Sequence, residues 1–76
     1  MKELIEHITK ALVDYPDDVN VKEIEDEKGM IVKLSVHADD MGKVIGKQGR
    51  VAKAIRSVVH AAALNENKRV RLDIVE

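Results

Sequence analysis

Apolar residues recur along this chain with two different periods, and the switches between them mark out its elements. Leu4, Ile5, Ile8, Ala11 and Leu12 fall at i, i+1, i+4, i+7 and i+8, one helical face, and predict a helix over 2–15. Tyr15-Pro16 closes it, because a residue before proline avoids helical backbone, and Pro16-Asp17-Asp18 reads as a turn. Period two takes over from Val19 to Glu25, but Ile24 is out of phase with Val19 and Val21, so this first strand is expected to bulge or end early. Asp26-Glu27-Lys28-Gly29 carries hairpin chemistry, with glycine where positive φ is needed. Over 30–37, Met30, Val32, Leu34 and Val36 alternate with Lys33, Ser35 and His37. One covered face and one wet face is the signature of a sheet backed by helices on a single side.

Beyond the second strand, Asp39 or Asp40 is placed to cap a short helix carrying Met41, Val44 and Ile45, which Gly46 stops. Val51, Ile55, Val58, Val59 and Ala62 form the face of a long helix over 50–64, with Arg50, Lys53, Ser57 and His60 on another side. Arg69 to Val75 reads as the last strand, Val70, Leu72 and Ile74 inward and Arg69, Arg71 and Asp73 outward. The expected fold class is α+β, in the order αββααβ, a three-stranded mixed sheet backed by three helices. The crossover from the second strand to the third passes through two helices, which suits a parallel pair with a right-handed connection.

The charge distribution adds what the formal net charge of −1 conceals. Residues 1–40 hold eleven acids and five lysines, whereas residues 41–76 hold eight Lys or Arg and three acids. No acid occurs between Met41 and Leu64, a stretch that contains Lys43, Lys47, Arg50, Lys53 and Arg56. Such asymmetry points to a polyanionic partner for the second half. At 76 residues the chain is a single domain, 1–76, and without Phe or Trp its core must be aliphatic. A domain this small gains from burying further apolar surface against a partner subunit. There is no cysteine, hence no disulfide, thiolate metal site or thiol nucleophile, and no apolar run of membrane-spanning length. A soluble cytoplasmic protein without membrane insertion is expected.

The densest chemical signal is Gly42-Lys43-Val44-Ile45-Gly46-Lys47-Gln48-Gly49-Arg50. Gly46 and Gly49 bracket a polar tip, and glycine lets backbone take positive φ or lie flush against something large. Lys47 and Gln48 offer charge and amide donors, and a helix starting after Gly49 turns its unpaired N–H groups and positive dipole end toward the same spot. An extended phosphodiester backbone suits all of these. The alternative is a tight helix–helix turn without a ligand. A nucleotide P-loop is excluded, because three residues rather than four separate Gly42 from Gly46, and Gln48 follows Lys47 where Ser or Thr is required. Gly42-x-x-x-Gly46 is no membrane dimer motif either, with Lys43 inside it.

With Val44-Ile45-Gly46-Lys47-Gln48-Gly49 followed by a basic amphipathic helix with Ile55 on its buried face, the chain resembles a K-homology (KH) RNA-binding domain. Its element order is similar to the type II, prokaryotic arrangement, and its extent to the small stand-alone KH proteins of bacteria, the KhpA type. Ala52 departs from the family pattern, which commonly has a bulky aliphatic there. The resemblance implies a groove between this GxxG loop with its flanking helices and a sheet edge, clamping about four single-stranded nucleotides. Within it Gly46, Lys47, Gln48 and Gly49 contact the sugar-phosphate backbone, bordered by Lys43, Arg50 and Lys53. Val44, Ile45 and Val51 form an apolar floor under the bases, and the second strand, through Val36, lines the far side. It also implies homodimers, a hetero-complex with a larger KhpB-like KH protein, and roles in RNA regulation or chaperoning, cell elongation and envelope homeostasis.

Other features have plainer readings. His7, His37 and His60 lack metal-ligand spacing, and Asp17-Asp18 and Asp39-Asp40 are explained by turn and cap preferences, so neither a metal, a cofactor nor an enzymatic reaction is expected. Arg69 and Arg71 are either RNA contacts or a solvated edge. Ala61-Ala62-Ala63 is either helix packed closely on the sheet or a seam between two copies. With Tyr15 the lone aromatic, base stacking on aromatic platforms is ruled out as the source of affinity, and binding should rest on phosphates. Two further readings stay open: an assembly subunit whose partner holds the RNA, and a KH domain for single-stranded DNA.

Overall fold

The computed structural model describes residues 1–65, 67 and 69–75. Helix α1 spans Lys2–Leu12, strand β1 Asn20–Asp26, strand β2 Gly29–Ser35, helix α2 Met41–Ile45, helix α3 Arg50–Asn65 and strand β3 Val70–Val75. Short 3-10 turns at Pro16–Asp18, Ala38–Asp40 and Lys47–Gly49 fill the connections. The strands lie in the order β1-β2-β3, with β1 antiparallel and β3 parallel to β2. This is the expected αββααβ arrangement with its mixed sheet.

The core is aliphatic and lies between one face of the sheet and the helices. Ile5 from α1, Val21 from β1, Val32 and Leu34 from β2, Val44 from α2 and Val59 from α3 are all at 2% exposure or less. Helix α1 covers β1 and α3 covers β3, with α2 in contact with both helices. At the start of α3, Ala52 is buried as well, 4% exposed.

Three local expectations are corrected, each for a physical reason. Helix α1 ends at Leu12 rather than Tyr15, and Val13 is already extended at φ −104°, ψ 159°. The next two N–H groups, of Asp14 and Tyr15, donate to the Asp40 carboxylate instead of to carbonyls a turn back. Strand β1 neither bulges nor stops early: its register with β2 is continuous from Asn20↔Ser35 to Asp26↔Gly29. Ile24 is out of phase with the core because it lies on the open face of the sheet, directly across from Ile31. That cross-strand apolar pair is compensation enough to keep the strand regular.

Strand β2 is the third correction. It ends at Ser35 and sits in the centre of the sheet, paired on both sides. It therefore offers no sheet edge, and Val36, 8% exposed, belongs to the core rather than to the far wall of a groove. The free edges belong to β1 and β3. One buried polar atom has no partner among the described residues, the hydroxyl of Thr9 on the inner face of α1.

Candidate nucleic-acid interface

The connection between α2 and α3 is built on glycine geometry. Gly46 has φ 76° and ψ 174°, a region essentially closed to residues with a Cβ. A Cβ there would stand 2.5 Å from Val51 Cγ2 and 2.9 Å from the Val51 nitrogen. Gly46 is thus required twice, by conformation and by the first turn of α3 packed against it. Its own N–H closes α2 by donating to the Gly42 carbonyl at 2.8 Å. Gln48 and Gly49 follow in the left-handed region, at φ 56° and φ 74°. Gly49 has only the conformational requirement, since a Cβ there would meet nothing within 4 Å.

The loop therefore projects its tip outward. Lys47 and Gln48 are exposed, as are Arg50 and Lys53 in the first turn of α3, and no acid lies in that turn. None of these four side chains donates or accepts a hydrogen bond or forms an ion pair among the described residues. The N-terminus of a 16-residue helix adds its orphan N–H groups and positive dipole end beside them. Unpaired donors and cations around a backbone turn make a surface suited to an anionic chain.

The remaining candidates divide. Ile45 is exposed and Val51 half-buried next to the loop, available as apolar contact surface. Val44 is not: at 0% exposure it is a core residue, because position 44 of the short helix points into the core while 45 points out. Lys43 is exposed but committed. Its ammonium is hydrogen-bonded to the Asp14 carboxylate and lies 3.7 Å from Asp40 Oδ1. The hydrogen bond to Asp14, opposed in part by desolvation, holds the Lys43 ammonium above its ordinary value of 10.5.

Asp40 explains why. Instead of capping α2, its buried carboxylate accepts the N–H of Asp14 at 3.1 Å and of Tyr15 at 2.9 Å, joining the end of α1 to the start of α2. Burial alone would raise this carboxyl. The two N–H donors, with Lys43 and His37, outweigh it and leave it below the ordinary 3.8. Next to this anchor the Tyr15 and His37 rings stack with centroids 4.0 Å apart and planes 18° from parallel.

Arg69 and Arg71 are not brought to the loop. Met30 pairs with Val70, so both arginines sit near the β1–β2 hairpin, and α3, about 24 Å long, separates them from Gly49. Arg71 is also paired with Asp73 at 3.0 Å. Gly42 opens the glycine-rich stretch but is given no part in the site from sequence. It is exposed, its φ is not positive, and a Cβ would meet nothing within 4 Å, so the protein's own packing does not require glycine there. The signal available was its place one helical turn before Gly46, where a bare backbone widens the surface onto which a chain can lie.

This geometry agrees with the comparisons to known proteins. The sequence pattern of the family described as KhpA/KhpB, KH domain, matches residues 2–74. The chain belongs to the KhpA/KhpB KH-domain family. The RNA-binding protein KhpA of Halalkalibacterium halodurans is 64% identical over 76 residues, covering all of both chains. That of Clostridium perfringens is 60% identical over 75 residues, 99% of this chain and all of the relative. That of Listeria monocytogenes serovar 1/2a is 51% identical over the full length of both. Among the described residues of this family member, no helix is long and apolar enough to cross a membrane.

The two loop glycines should respond differently to substitution. Gly49→Ala meets only the left-handed penalty and is expected to cost about 1–2 kcal/mol. Gly46→Ala adds the collision with Val51 and should cost about 3 kcal/mol or more. Urea denaturation of both variants checks this, and equal losses would contradict the assignment of Gly46 as the doubly constrained position.

Proposed function

We propose that this protein binds single-stranded RNA through the Gly46–Gly49 loop and the first turn of α3. The observation that carries this reading is the set of donors around the loop: Lys47, Gln48 and Arg50, exposed, without side-chain partners among the described residues, and beside a helix N-terminus. That the KhpA relatives are named RNA-binding proteins supports RNA as the polyanion. Phosphate contacts supply most of the affinity, because the loop carries no aromatic ring on which a base could stack. Binding is accordingly weak, salt-sensitive and loosely selective.

An apolar surface supports a second component of the reading, assembly with another KH protein. Ile8 and Leu12 of α1 line one apolar hollow with Ala54 and Val58 of α3; Leu12 and Val58 are each about 40% exposed, as is Leu4 elsewhere on α1. Of the alanines near the end of α3, Ala63 packs in the core while Ala61 faces out. A homodimer, or a complex with a KhpB-like KH protein, buries this stripe and presents two loops to one RNA.

Fluorescence anisotropy with a labelled single-stranded RNA, at low and moderate salt, tests the loop. A folded variant carrying Lys47→Asp and Gln48→Asp is expected to lose binding by at least about tenfold, through two repulsive charges at the phosphate path. Equal binding by both proteins moves the site elsewhere, and no binding by either favours the assembly-subunit reading. Repeating the titration with DNA of the same sequence separates the two nucleic acids. In sedimentation velocity at micromolar concentration the native chain should run as a dimer and Val58→Asp as a monomer; a native monomer would count against the stripe as a homodimer seam.

A further inference from the structure

Lys43 differs from the other cations around the loop in already holding an anionic partner. Its Nζ donates to Asp14 Oδ2 and approaches Asp40 Oδ1 to 3.7 Å, whereas Lys47, Arg50 and Lys53 have no such partner among the described residues. An exposed ion pair is ordinarily worth little, because two long side chains must be immobilised to form it. Here the acid comes ready positioned. The Asp14 N–H is held by Asp40 Oδ1, the Tyr15 N–H by Asp40 Oδ2, and the Tyr15 ring is stacked on His37. Asp40 itself is fully buried, so the backbone that presents Asp14 is fixed by the interior of the fold.

Lys43 also stands where it matters for the loop. Lys43 is exposed in the last turn of α2, which ends at Ile45, two residues before Lys47 at the loop tip. A phosphodiester following Lys47 and passing α2 over the bare backbone of Gly42 comes within reach of the same ammonium. Carboxylate and phosphodiester oxygens are alike as anionic acceptors for it, and Asp14, with its side chain 72% exposed, returns to water at little cost when displaced.

We propose that Asp14 is a built-in competitor of RNA phosphate for Lys43, holding that cation in reserve and setting both the affinity and the salt dependence of binding. The proposal rests on the loop reading above. RNA whose register brings a phosphate over α2 exchanges the Asp14 carboxylate for itself and gains one cation contact; RNA that touches only the loop tip leaves the internal pair intact. The chain thereby discriminates between a strand that runs the length of α2 and one that meets the tip alone.

A double-mutant cycle tests this. Asp14→Asn removes the charge but keeps the side-chain shape and the backbone N–H that Asp40 holds, and Asp14→Ser serves as a second neutral variant. Affinity for a labelled mixed-sequence single-stranded RNA is measured across a salt series for the native chain, Asp14→Asn, Lys43→Ala and the double variant. Asp14→Asn is expected to bind about threefold to fivefold more tightly at low salt. Its slope of log affinity against log salt should steepen by up to about 0.7, as Lys43 is held by phosphate in a larger share of the complexes. Lys43→Ala alone should weaken binding less than Lys47→Ala, and in its background Asp14→Asn should change nothing. An Asp14→Asn effect that persists without Lys43 would reduce Asp14 to general repulsion and overturn the proposal, as would no effect at all. If the native chain binds RNA but the cycle is flat, the competition alone fails. If the native chain binds no RNA, the loop reading fails with it.

Discussion

The backbone break at Gly46 governs where the chemically active groups of this protein point. Were residue 46 helical, α2 and α3 would merge, and Lys47, Gln48 and Arg50 would be spread around a continuous cylinder. At φ 76° and ψ 174° the chain instead turns sharply, and Val51 packs into the space a side chain would have filled. The turn sends the polar tip outward and starts a 16-residue helix with its N-terminus at the same place. Exposed cations, amide donors and a helix dipole converge because one residue has no Cβ.

A second anchor, Asp40, fixes what surrounds this turn. Its buried carboxylate is satisfied by N–H groups from the α1–β1 connection rather than from its own helix. A buried acid is tolerable only with such partners, and the requirement draws residues 14 and 15 against the start of α2. An acid of the first half of the sequence, Asp14, is thus paired with a cation of the second, Lys43, whose ammonium also lies 3.7 Å from Asp40 Oδ1. Among the described residues, the cations in the first turn of α3 form no ion pair.

Much of this was legible in the sequence, and the misreadings share a cause. The two hydrophobic periods located all six helices and strands, and the glycine spacing with its acid-free surroundings located the loop. What periodicity does not report is which side a short element presents. Val44 and Ile45 look equivalent in sequence, yet five residues of helix bury one and expose the other. Ile24 looked like a fault in β1 because a residue on the open face was weighed as if it belonged to the core. Asp40 looked like a cap and Lys43 like a free cation, since a contact 26 or 29 positions away leaves no local trace. Likewise the placing of β2 at the centre of the sheet depends on how β3 returns, which fixes the edges only after the whole chain has folded.

The most direct test of the central claim is a residue-resolved one: backbone amide chemical shifts recorded by NMR while single-stranded RNA is added to the folded protein. The account predicts that the largest changes fall on Gly46 to Val51, with a smaller group at Gly42 and Lys43. The open sheet face around Lys22, Lys33 and Arg71 should remain nearly unchanged. Changes centred on that sheet face, with the amides of the loop unmoved, would contradict it.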